Sequence, residues 1–151
     1  MSELLSIGEA VVADLDAIFG LEARSFRAPW RRAFFESELN APGRYNRVAK
    51  DDGGTLIGYL FSMYFLDEMH VNKVAVSEPM RRRGVAAALM DDCLAFARAH
   101  KVRSISLEVR ESNQGARLFY ERLNFRPTYV RQRYYPDGES AIVMTAEVGG
   151  A

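Results

Sequence analysis

The alternation of apolar and polar residues changes period several times along the chain, and each change marks an element. From Ser104 to Val109 it is strict, with Ile105, Leu107 and Val109 on one side and Ser106 and Glu108 on the other. That period of two predicts a half-buried strand. Upstream, Val85, Ala88, Leu89, Cys93 and Phe96 recur every three to four residues, with Asp91 and Arg98 off the stripe. This is the pattern of a helix with one buried face. Before it, Val71, Val74 and Val76 make a β-branched run that ends at Ser77-Glu78-Pro79, where proline cannot continue a ladder. Because a helix connects the two strands, they are expected to run parallel.

The rest of the chain is read the same way. Leu4 to Ala10 suits a short edge strand, and Ala13 to Arg24 a helix through Leu15, Ile18, Phe19 and Ala23. Ser25-Phe26-Arg27-Ala28-Pro29-Trp30 interrupts it, and Arg31 to Leu39 resumes a helix that Asn40-Ala41-Pro42-Gly43 ends. Trp30, Phe34 and Phe35 are expected to pack inward. Tyr45 to Lys50 and Thr55 to Leu66 flank the glycine-bearing turn Asp51-Asp52-Gly53-Gly54, a hairpin pattern, and Asp67-Glu68 leads on into the strand at Val71. Arg110 to Asn113 opens a helix to Leu123, and Phe125 to Tyr135 pairs with Ala141 to Glu147 around Pro136-Asp137-Gly138. The predicted order is β-α-α-β-β-β-α-β-α-β-β. It describes an α/β (mixed α+β) fold, with a mostly antiparallel sheet of about seven strands, one parallel pair at its middle, and four flanking helices.

Composition narrows the class. The 151 residues suit one domain, expected over 1–148 with a tail at 149–151, and the chain carries 48% hydrophobic residues. Twenty basic side chains balance 20 acidic ones, so no bulk affinity for nucleic acid or a membrane surface is expected. The single cysteine, Cys93, excludes an intrachain disulfide. With no apolar signal core and no run of membrane-spanning length, a cytoplasmic protein is expected. No metal is expected, since the two histidines, His70 and His100, do not sit in a ligand spacing.

Candidate chemistry concentrates at the strand–helix junction Arg81-Arg82-Arg83-Gly84-Val85-Ala86. The first amides of a helix have no partner, the helix dipole is positive there, and Gly84 lets an anion approach the backbone; a pyrophosphate would fit. A solvated arginine run beside an ordinary helix start is the other interpretation.

Arg81-x-x-Gly84-x-Ala86 after a Val-Ala-Val strand resembles the acyl-coenzyme A signature of the GNAT superfamily of N-acetyltransferases. Further motifs resemble its RimI-type enzymes, which acetylate the N-terminal alanine of ribosomal small-subunit protein eighteen. They are Leu107-Glu108-Val109-Arg110-x-Ser112-Asn113, Leu118-x-Tyr120-Glu121-x-Leu123-x-Phe125, Tyr134-Tyr135-Pro136, Asp137-Gly138, Phe26-x-x-Pro29-Trp30 and Leu66-Asp67-Glu68.

The resemblance implies acetyl-CoA as cosubstrate. The backbone of Val74, Ala75 and Val76 would pair with its pantetheine, and Arg81 with the amides of Arg82, Arg83, Gly84, Val85, Ala86 and Ala87 would hold its pyrophosphate. Asn113 would contact the cofactor or else cap the following helix. Glu108 would be the base that takes the amine's proton, and Tyr120, seven residues after Asn113 and on the same helix face, the acid for the leaving sulfur. Asp67, Glu68, Tyr134 and Tyr135 would line a peptide groove, or be turn residues in the case of the two carboxylates. The implied acceptor is a protein N-terminus. A small-molecule amine, a wider set of N-termini, and a non-catalytic coenzyme A-binding role remain alternatives. Three positions depart from the pattern: Lys73 stands where asparagine is common and has no role assignable from sequence, Ala86 replaces a glycine, and Gly115 interrupts a helix start.

Overall fold

A computed structural model describes residues 5–149. Seven strands, β1 (Ser6–Glu9), β2 (Arg47–Lys50), β3 (Leu56–Phe65), β4 (Glu68–Val76), β5 (Ser104–Arg110), β6 (Arg126–Arg131) and β7 (Ala141–Glu147), form one sheet in the order β1-β2-β3-β4-β5-β7-β6. Among the described residues only β4 and β5 pair in parallel. The helices are α1 (Leu15–Ser25), α2 (Arg32–Asn40), α3 (Val85–Ala99) and α4 (Gln114–Arg122). The mixed sheet, the central parallel pair and the order of elements are those expected from the sequence.

Each face of the sheet buries its own core. On one, Val85, Leu89, Met90, Cys93 and Ala97 of α3 pack on Leu60, Met69, Val71, Ile105, Leu107 and Met144, with Phe119 and Tyr120 of α4 beside them. On the other, Leu15, Ile18, Leu21 and Phe35 of α1 and α2 cover Val48, Tyr59, Phe61 and Ala75. The alternation along β5 is realised: Ile105, Leu107 and Val109 are buried against the α3 core, and Ser106 and Glu108 turn to the α1 side.

Two local features set the geometry around β4. Gly58 of β3 lies opposite Val76, and a β-carbon there would meet the Ala75 carbonyl oxygen at 2.9 Å and Val85 Cγ1 at 3.2 Å. Its missing side chain therefore seats the start of α3 against the sheet. In the β3–β4 ladder Phe61 pairs with Lys73 and Ser62 with Val71, which leaves Asn72 as an extra residue, a β-bulge. The bulge shifts the alternation, so that Asn72 and Lys73 both serve the α1 face.

Some expectations need correction. The predicted helix from Ala13 begins as a 3-10 turn, Val12–Asp14, before α1, whose buried stripe is Leu15, Ile18, Leu21 and Glu22, with Ala23 exposed. Phe35 is fully buried, but Phe34 sits about 100° further round α2, 44% exposed, with its ring edge-on to a half-buried Trp30. The strand expected from Phe125 to Tyr135 ends at Arg131, because the chain turns at Gln132–Arg133, where Arg133 takes a positive φ of 52°. Leu4 and residues 150–151, within the expected edge strand and tail, lie outside the described residues.

Candidate active site

The junction between β4 and α3 is a cradle of backbone donors. After β4, Glu78–Met80 form a 3-10 turn, and the Arg81 Nε–H returns to the Val76 carbonyl at 3.0 Å. The exposed Arg82 and Gly84 take left-handed conformations, φ 66° and 85°, and the first intrahelical bond of α3 runs from Ala88 N–H to Gly84 O at 2.9 Å. The amides of Val85, Ala86 and Ala87 precede that bond and so lack intrahelical acceptors. A β-carbon on Gly84 would meet nothing within 4 Å, so the space beside the turn is open. Exposed Arg82 and Arg83 add positive charge. This donor set fits a pyrophosphate.

The sheet opens beside the cradle. β4 and β5 are paired only at Glu68–His70 with Ser104–Ser106, although both strands continue. Beyond His70, the β4 edge that faces β5 has no strand partner among the described residues; Val74 and Val76 turn their backbone groups to it, the Val76 carbonyl being taken by Arg81, while Ala75 turns its carbonyl to β3 instead. Unpaired backbone groups in the middle of a sheet are costly unless a ligand supplies partners. A pantetheine chain carries amides suited to that edge.

Glu108 and Tyr120 lie on opposite faces of the sheet. The Glu108 side chain is 10% exposed, and both of its oxygens are engaged, Oε1 by His70 Nε2 at 2.8 Å and Oε2 by Arg131 Nη1 at 3.0 Å. Burial alone would raise its pKa, but the hydrogen bonds and positive charge from His70 and Arg131 prevail and hold the carboxyl below its ordinary value. Tyr120 belongs to the α3-side core, with its ring 4.9 Å from Phe119 and 5.7 Å from Phe125. Burial pushes its phenol up to about 12, so it stays protonated at neutral pH. Asn113 is the N-cap of α4, its Oδ1 accepting from Ala116 N–H at 3.1 Å.

With this geometry in view, the relatives are informative. Residues 15–125 match the model of the acetyltransferase (GNAT) family. The chain belongs to the GNAT family. It is 31% identical over 146 residues to the ribosomal protein bS18-alanine N-acetyltransferase of Escherichia coli K12, covering 95% of this chain and 97% of that protein. It is 29% identical over 150 residues to an N-alpha-acetyltransferase of Sulfolobus acidocaldarius, with 91% and 89% covered. The crystal structure of the E. coli ribosomal-protein-S18-alanine N-acetyltransferase superposes with a TM-score of 0.91 at 29% identity, over 98% of this chain and 96% of that one. The protein is thus a GNAT N-acetyltransferase dependent on acetyl-CoA, similar to the RimI-type enzymes.

On the acceptor side, this GNAT domain separates residues that the sequence grouped together. Tyr134 and Tyr135 lie in the β6–β7 connection at the Arg110 end of β5, where Arg110 stacks over Tyr135 at 4.1 Å and binds Asp137 and Glu139 at 2.9 and 2.8 Å. Arg131 stacks over Tyr134 at 4.8 Å, which places that ring near Glu108. Asp67 and Glu68 are at the other end of β5, where Arg103 N–H donates to the Asp67 carbonyl at 2.7 Å and Glu68 pairs with Ser104. Six residue steps of strand, roughly 20 Å, separate the two groups along β5.

The sequence also missed residues that the fold gathers here. Lys73, without an assignable role before, reaches Glu22 of α1 at 2.9 Å with its ammonium over the rings of Phe26 and Trp30, at 3.8 and 4.9 Å. Glu22 is fully buried and also accepts from the Tyr59 hydroxyl and, at 2.9 Å, from the Trp30 amide. The α1–α2 loop is thereby fixed over β4 on the face that carries Glu108. A glutamate on a buried helical stripe was the available sequence signal; its partners, 8 to 51 positions away, were not readable.

Proposed function

We propose that the protein transfers acetyl groups to the α-amine of a protein N-terminus, with the N-terminal alanine of ribosomal small-subunit protein eighteen as its acceptor. The observation that carries this is the placement of Glu108: a carboxylate facing the α1 side of the sheet, beside the unpaired edge of β4, between the α1–α2 loop and the β6–β7 connection. The names of the E. coli and Sulfolobus relatives support the same acceptor class.

Acetyl-CoA, bound by the cradle and the β4 edge, supplies the acyl group as a thioester. The rest falls to side chains of this chain. Glu108 takes a proton from the amine as the amine's nitrogen bonds to the carbonyl carbon. Tyr120, from the other face, offers its O–H to the sulfur as the C–S bond breaks. Glu108 is held below the ordinary carboxylate range and is a modest base. A modest base suits an α-amine, roughly a tenth of which is neutral at pH 7, against about four in ten thousand for a lysine. Direct transfer is favoured over a covalent intermediate because Cys93 is fully buried under α3 and its thiol is pushed up to about 12, largely by burial.

Release of free thiol from acetyl-CoA, followed with three acceptors, tests this. They are a basic peptide beginning with alanine, the same peptide blocked at its N-terminus but carrying lysine, and a polyamine. The free N-terminus should be the working acceptor, and Glu108→Gln and Tyr120→Phe should each lower kcat by about 10² to 10⁴. Turnover of the polyamine in preference to the peptide would move the acceptor to a small molecule.

A further inference from the structure

His70 lies against the Glu108 carboxylate and has no part in the chemistry above. Its Nε2 is 2.8 Å from Glu108 Oε1 and its Nδ1 is 2.7 Å from the side-chain oxygen of Asn72, while Arg131 occupies Glu108 Oε2 at 3.0 Å. An imidazole donates from both nitrogens only as a cation. The neutral ring can keep its Nε2–H on Glu108 and accept at Nδ1, which Asn72 meets by turning its NH₂ group inward. Asn72 thus suits both charge states, and Glu108 faces an N–H in each. What differs is the charge beside the carboxylate, which is two cations with the ring protonated and Arg131 alone without.

We propose that His70 is a positioning residue for Glu108, and that acetyl transfer proceeds from the enzyme form in which His70 Nδ1 has released its proton. The proposal rests on Glu108 being the base. A carboxylate with imidazolium on one oxygen and guanidinium on the other accepts a proton poorly, and both cations oppose the ammonium that forms as the amine adds to the thioester. The neutral ring keeps the carboxylate oriented and removes one of the two charges. Arg131 remains, but it is 46% exposed and solvent screens it.

The surrounding groups leave this role to His70. From β5 comes Glu108, from β6 Arg131, and from the β6–β7 connection Tyr134, whose phenol burial and Glu108 keep neutral. On the α1 side, the charge of Lys73 is committed to Glu22. Burial opposes the His70 cation, but the hydrogen bond and charge of Glu108 outweigh it and hold the ring proton above histidine's ordinary value.

Two measurements test the proposal. With two histidines in the chain, proton NMR of the imidazole rings follows His70 directly, and replacing His100 assigns the signals. The His70 midpoint should fall in Glu108→Gln, with Nε2 protonated throughout. Second, log kcat/KM against pH for an α-amine acceptor should approach a slope of two on the acid side, one for the amine and one for His70. His70→Gln keeps an N–H for Glu108 but cannot titrate, and its slope should approach one. Each further unit of acid would then cost the wild type roughly a hundredfold and the variant roughly tenfold. Equal slopes, or a His70 titration indifferent to Glu108→Gln, would overturn the proposal. No turnover with any amine, with the NMR coupling intact, would sink the proposed function but leave His70's hold on Glu108 standing.

Discussion

Replacing Lys73 by methionine preserves most of the side chain's length and deletes its charge. Glu22 keeps the Tyr59 hydroxyl and the Trp30 amide but loses the ammonium 2.9 Å from Oε2, at a site with no solvent exposure. Removing one partner of a buried ion pair costs about 3–5 kcal/mol, since the charge left behind is poorly solvated. Lys73 itself is 14% exposed and two hydrogen bonds remain, which argues for about 3 kcal/mol. Loss of the ammonium over Phe26 and Trp30, at 3.8 and 4.9 Å, adds about 1 kcal/mol. The sum, about 4 kcal/mol, is a large share of the ~5–15 kcal/mol typical of a domain. In urea, with a slope of about 2 kcal/mol per molar, the midpoint should fall by about 2 M. Trp30 is the only tryptophan, so its emission reports the α1–α2 loop itself. The double variant with Glu22→Gln leaves no buried charge unpaired and should recover at least half of the loss. A midpoint shift under about 0.5 M in the single variant would refute the reasoning, since it would mean that solvent already serves Glu22.

Other expectations follow from single contacts. Gly58→Ala forces a β-carbon to within 2.9 Å of the Ala75 carbonyl, and thermal denaturation should show a loss of about 1–3 kcal/mol. Gly84→Ala meets no clash but must hold φ near 85°, at a cost of about 1–2 kcal/mol; the melting temperature of the free protein should fall by roughly 2–8 °C, and calorimetry should show weaker acetyl-CoA binding. Glu139 is held down to about 2 by Ser112 and Arg110. Because its folded value lies below the unfolded one, its contribution to stability is present above the ordinary carboxylate range and is lost as pH falls toward about 2. In Arg110→Ala the Glu139 carboxyl should titrate at higher pH by carbon NMR; an unchanged midpoint would assign the whole effect to Ser112.

The order of elements and the parallel pair were legible because each depends on local periodicity and on a handedness rule for helical connections. The strand–turn–helix junction with its free amides was legible for the same reason, since a strand, a glycine turn and a helix start are consecutive in the chain. Tyr120 and Glu108 were singled out by motif, but nothing local showed that they lie on opposite faces of the sheet. His70 and Lys73 were not legible as site residues. Lys73 owes its orientation to the bulge at Asn72, a ladder irregularity with no sequence signature, and the partners of the two residues, Glu108 for His70 and Glu22 for Lys73, come from other elements. Asp67 and Glu68 were grouped with Tyr134 and Tyr135 because their carboxylates would attract a basic acceptor segment, and only the register of β5 shows that the two pairs sit at its two ends.

The central claim, transfer to an α-amine, is tested most directly with one peptide carrying both a free N-terminal alanine and an internal lysine. After incubation with the enzyme and acetyl-CoA, fragmentation mass spectrometry locates the added acetyl group. The account predicts a single acetyl on the N-terminal nitrogen, absent when Glu108→Gln replaces the wild type over the same interval. Acetyl on the lysine side chain, with the N-terminus left free, would contradict it.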